Sequence, residues 1–128
     1  MEINPEVDLS IDIHNLTSEF RNLPGLLFRY YQYKAKIEAV RDNAKARLKE
    51  VRAVTYKTIR SDNSVKHSEK SMEAEIDSNP EVLKAQMSLI RAEHDATTWA
   101  GAVDSMKAKK DSLIQLGSDR RKEIIGSN

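Results

Sequence analysis

From Val82 to Leu113 the chain carries an apolar or small residue at every third or fourth position. The run is Val82, Ala85, Leu89, Ala92, Ala96, Trp99, Val103, Met106, Lys110 and Leu113, with Lys110 its single charge. A three-four alternation kept up for more than four heptads specifies a long α-helix that buries one seam against another helix. The partner lies earlier in the chain, at Tyr30, Tyr33, Ile37, Val40, Ala44, Leu48, Val51, Thr55 and Ile59. Two consecutive fours at Val40–Ala44–Leu48 read as a stutter. The expected fold is therefore all-α, a long antiparallel helical hairpin with a coiled-coil-like seam.

Local signals set the expected boundaries. Asn22-Leu23-Pro24 reads as a helix start, with proline in the first turn, where its missing N–H costs nothing. Ser61-Asp62-Asn63-Ser64 supplies turn formers. Asn79-Pro80-Glu81 offers an N-cap, a proline at the first helical position and an acid favourable to the helix dipole. Gly117 falls where a left-handed terminal residue is wanted. The reading is one domain: an N-terminal arm with a short helix over 1–22, a long basic helix over 23–60, a connector with a short helix near Ser68–Ile76 over 61–79, a heptad helix over 80–117 and a tail over 118–128. In the arm, Val7, Leu9, Ile11 and Ile13 alternate with polar residues, as in a strand or an extended segment. Such an arm either docks on a neighbouring subunit or partner, or folds back on its own hairpin. Apolar residues off the seam, among them Leu26, Leu27, Phe28, Tyr31, Ile90 and Ile114, need cover, and a two-helix core is thin for 128 residues. Hairpins packed side by side in a homo-oligomer would supply it.

Composition narrows the chemistry. The longest uncharged run, Ala96–Val103, has eight residues, where a membrane-spanning helix needs about 20. No cysteine is present, so there is no disulfide framework and no thiolate metal site. The start has no basic segment leading into an apolar one, and the expected location is cytoplasmic. His14, His67 and His94 are scattered, and none pairs with an acid at metal-ligand spacing. Neither a Gly-rich phosphate loop nor a nucleophile elbow occurs. The expectation is a protein that is not an enzyme and uses no cofactor and no metal.

What remains is charge order. The whole chain has a net charge of +1, yet residues 29–60 hold ten bases against three acids, while residues 61–104 hold nine acids against four bases. Within the basic stretch, Arg41, Lys45, Lys49, Arg52, Tyr56 and Arg60 follow spacings of 4, 4, 3, 4 and 4. At about 100° per residue they share roughly 100° of arc beside the seam. A row of cations at this spacing tracks a phosphate backbone, and an interleaved tyrosine stacks on an unpaired base, which favours single strands. Lys57, Lys66 and Lys70 would extend the surface, as would Lys107, Lys109 and Lys110. The competing reading is a solvated face, or ion pairing with acids across the hairpin such as Glu81, Glu93, Asp95 and Asp104.

In order and register the chain resembles the UvsY-type recombination mediators of tailed phages. Ile11-Asp12-Ile13-His14-Asn15-Leu16 leads into a long helix with the basic segment Ala46-Arg47-Leu48-Lys49-Glu50-Val51-Arg52. Lys70-Ser71-Met72-Glu73-Ala74-Glu75-Ile76 follows, and Asn79-Pro80-Glu81-Val82-Leu83 opens the second long helix. The likeness covers roughly residues 11–123; the chain is shorter at its end, and Glu50 interrupts its basic segment. The resemblance implies a small helical protein that assembles into rings and binds single-stranded DNA without sequence preference. It also implies help to a RecA-like recombinase in displacing the single-strand-binding protein, in the cytoplasm of a bacterial host. On the matching segment it implies Lys49, Arg52 and Arg60 as phosphate contacts, to which helical geometry adds Arg41, Lys45, Tyr56 and Lys57. A helical scaffold without nucleic-acid binding, or a single-strand-annealing protein, is the alternative.

Overall fold

The computed structural model describes residues 3–62 and 67–126. Four helices follow in order: α1 (Pro5–Asp8), α2 (Leu16–Ser61), α3 (Glu69–Ser78) and α4 (Pro80–Gly126). No strand occurs among the described residues, and α2 and α4 pack against each other. Asn63, Ser64 and Lys66 of the expected connector lie outside the described residues, as does the end of the tail. The chain divides into two compact units. One comprises the chain up to Ala35 with Thr97 and beyond, the other Lys36–Ala96.

In the first unit α2 and α4 run antiparallel around Leu16, Leu23, Tyr30, Val103, Met106 and Leu113. The helix start expected at Leu23 is in fact at Leu16, where Asn15 accepts from the Ser18 N–H at 3.4 Å. Pro24 sits inside α2, not at its head. An interior proline costs about 3 kcal/mol. Burial of Leu16 and Leu23 against α4 offsets that, at roughly 1.5–3 kcal/mol for each large apolar side chain. The helix end expected at Gly117 also moves, to Gly126. Gly117 is helical and serves close approach: a Cβ there would lie 3.3 Å from two ring atoms of Phe20.

The arm folds back on its own chain, with Ile3, Leu9 and Ile11 packed on the core. The expected strand-like alternation does not form, because residues 5–8 make one helical turn and leave Val7 and Ile13 exposed. A polar network ties the arm down. Fully buried Tyr30 donates to Asp8 Oδ2 at 2.8 Å, and Lys109 Nζ donates to the Asp8 carbonyl at 2.6 Å and pairs with Glu19 Oε2 at 2.9 Å. Lys109 thus replaces Lys110 at the seam position and is withdrawn from the surface where it was expected. Its stem lies in the core while its ammonium meets oxygens of the arm and of α2.

Burial raises the Tyr30 hydroxyl well above the ordinary tyrosine value, and the hydrogen bond and negative charge of Asp8 add to the shift. Folding therefore favours the neutral phenol. Its contribution is complete below about pH 10, the unfolded tyrosine value, and is lost as pH rises beyond it. Urea unfolding at pH 9 to 11.5 should show stability falling with pH, and Tyr30→Phe should make that fall shallower. An identical slope in the variant would remove Tyr30 from the account.

In the second unit the pair is again antiparallel, with Val82, Ala85, Ala92 and Ala96 of α4 buried together with Thr55 of α2 and Met72 and Ile76 of α3. Ser68 caps α3, accepting from the Ser71 N–H at 3.2 Å, and Asn79 Oδ1 caps α4, accepting from the Glu81 N–H at 2.9 Å. The stutter at Val40 is absent. Val40 is exposed and half-buried Arg41 takes the seam position, giving the regular series Ile37, Arg41, Ala44, Leu48, Val51, Thr55. The arginine stem serves as apolar cover and its head reaches water.

Candidate nucleic-acid interface

All seven expected site residues lie on α2 within the second unit. Distance from the seam sorts them. Arg41 and Arg52, nearest to it, are each 38% exposed at the side chain, and both meet carboxylates. Arg41 pairs with its neighbour Asp42 at 3.1 Å. Arg52 Nη1 donates to Asp77 Oδ1 of α3 at 2.9 Å, an acid 25 residues away that the expected list of partners did not contain. Arg60 Nη1 donates to the Tyr56 hydroxyl at 2.8 Å, with its guanidinium carbon 5.8 Å from the ring centre. Tyr56 is half-buried and its ring carries a cation.

Lys45, Lys49 and Lys57 stand apart from these pairs. All three are exposed, and none meets a carboxylate among the described residues. Helical geometry places Lys45 and Lys49 within about 40° of each other, with Lys57 a further 80° or so round the helix. The acids of α4 expected as partners, Glu81, Glu93, Asp95 and Asp104, do not neutralise them.

The neutralised arginines remain open to exchange. An exposed ion pair is worth about 0–1 kcal/mol, so a phosphate needs little to displace Asp77 from Arg52. The arrangement offers fixed positive charge and hydrogen-bond donors. Among the described residues no cluster of three or more His, Asp or Glu is placed to hold a metal ion. No helix there is long and apolar enough to cross a membrane.

Sequence reasoning missed a groove elsewhere in the second unit. A cavity of about 290 Å³ is lined by Arg47, Glu50, Val51, Val54, Thr55, Thr58 and Ile59 of α2, by the α4 cap Asn79 and by Glu81 of α4. Val54, an apolar residue one position before the expected seam residue Thr55, was the available signal. Elsewhere, Lys107 lies over the Tyr31 ring in the first unit, and Lys110 is exposed there. No protein-family model matches the sequence, and neither the curated proteins nor the solved structures contain a match to it.

Proposed function

We propose that this protein binds single-stranded DNA along the second half of α2 and acts as a recombination mediator, loading a RecA-like recombinase onto strands held by a single-strand-binding protein. The observation that carries the reading is the set of exposed lysines, Lys45, Lys49 and Lys57, without carboxylate partners among the described residues. Arg52 and Arg60 join them when phosphate replaces Asp77 and the Tyr56 hydroxyl. A ring-shaped homo-oligomer repeats the surface once per subunit, so weak contacts sum to high avidity and the strand is handed over contact by contact. No cofactor or metal takes part, and the protein is not an enzyme.

A mobility shift comparing single-stranded with double-stranded oligonucleotide, run beside light scattering for mass, tests this. Preferential retardation of the single strand by an oligomer is the expected result. Annealing of complementary strands without recombinase would identify an annealing protein instead. The exposed Leu83, Met87 and Ile90 on α4 favour a second reading, a helical scaffold that only assembles. That reading predicts an oligomer that retards neither oligonucleotide.

A further inference from the structure

We propose that one face of the first unit is a second surface for unpaired strand, formed by an aromatic stripe of α2 lying beside a cationic stripe of α4. The inference rests on the single-strand reading above and adds a separate place of contact. On α2, Phe20, Pro24, Phe28 and Tyr31 recur at spacings of 4, 4 and 3, which puts them on one side of the helix. Their rings are unusually open for a protein with so few aromatics: Phe28 is 63% exposed, Tyr31 44% and Phe20 39%. On α4, Lys107, Lys110, Ile114, Gly117 and Arg121 recur at 3, 4, 3 and 4.

Two contacts fix the stripes side by side. At one end the Lys107 ammonium sits 5.6 Å from the Tyr31 ring centre. At the other the Phe20 ring lies against the backbone of Gly117, closer than a side chain would allow without the ring shifting. Between these contacts the stripes run about 16 Å, from eleven residues at roughly 1.5 Å each. Lys110 and Arg121 are exposed and meet no carboxylate among the described residues.

The division of labour follows from the chemistry. Rings in a row accept bases of any identity by stacking, and a parallel row of cations accepts the phosphates joining them. A duplex hides its base faces and gains nothing from the rings. The same surface explains why Phe28 and Tyr31, off the seam, remain uncovered. An acidic segment of a protein carrying apolar side chains is the other occupant that cations beside rings would attract.

The test is Phe28→Ala/Tyr31→Ala, with Tyr31→Phe as its conservative control. Affinity for fluorescein-labelled oligothymidylate is measured by anisotropy, and mass by light scattering. Both residues are exposed, so fold and mass should hold. The double variant should lose about 5- to 150-fold for each base it no longer stacks, and Tyr31→Phe should bind like the parent. Ultraviolet cross-linking of the parent to an oligonucleotide bearing 5-iododeoxyuridine should label the peptide containing Phe28 and Tyr31.

Unchanged affinity in the double variant, with cross-links only near Tyr56, overturns this surface and leaves the α2 lysine reading standing. Absence of strand binding in the parent ends both. A fall in oligomer mass assigns the rings to contacts between copies. Loss of binding to a labelled Glu/Phe peptide, with strand affinity unchanged, assigns them to a protein partner. Either of these last two results overturns the proposal.

Discussion

Lys109→Ala should destabilise the protein by about 3–5 kcal/mol, the usual cost of removing one member of a buried ion pair. The Lys109 side chain is 6% exposed and that of Glu19 20%, and the ammonium also satisfies the Asp8 carbonyl. Its removal leaves the half-buried Glu19 carboxylate with the Asp12 N–H but no cation, and an arm carbonyl without its donor. Against a total stability of about 5–15 kcal/mol for a natural domain, the loss is a large fraction. Trp99, the one tryptophan, borders the same core and packs on Tyr33 at 4.3 Å between ring centres, so its fluorescence during urea unfolding follows the event. Lys109→Met should cost nearly as much, because it restores the stem without the charge. Lys109→Met/Glu19→Gln should recover part of the loss by removing the stranded anion. A single-variant cost below 1 kcal/mol would show that the network does not hold the arm.

That network marks where sequence reading stopped. The helical class and the α4 seam were legible because a heptad is local: Val82, Ala85, Val103, Met106 and Leu113 are buried as their spacing requires. Lys109 was not, since the groups that hold it lie about 90 and 101 residues earlier. Pro24 and Gly117 misled for a related reason. Each is a local boundary signal, Pro24 for a helix start and Gly117 for an end, overridden by Leu16 and Leu23 packing on the core and by Phe20 packing on the glycine. Val40 and Arg41 show the limit of polarity as a guide, because an arginine stem covers a seam that a valine one residue away does not face. The cationic row of α2 could be read from spacing. Which of its members are free could not, because Asp77 reaches Arg52 from α3.

The second large effect concerns that row. Lys45→Ala/Lys49→Ala/Lys57→Ala should reduce affinity for single-stranded oligonucleotide by at least 100-fold at 50 mM salt, while helicity and oligomer mass stay those of the parent. All three side chains are exposed, and exposed substitutions away from special features usually change stability by no more than about 0.5 kcal/mol. Lost binding is then a loss of charge and not of fold. The ordering within the row is equally specific. Arg52→Ala should cost less than Lys49→Ala, because Arg52 gives up Asp77 before it takes a phosphate. Equal binding by the triple variant and the parent would reduce the row to a solvated face.

The most direct measurement of the central claim is the salt dependence of single-strand binding by the unaltered protein. Each phosphate neutralised on a single strand contributes about −0.7 to the slope of log K against log salt. With the α2 lysines engaged, the slope should be about −2 or steeper between 50 and 300 mM, and the triple lysine variant should flatten it by about 2. A slope near zero, or one that the lysine substitutions leave unchanged, would contradict strand binding by these cations.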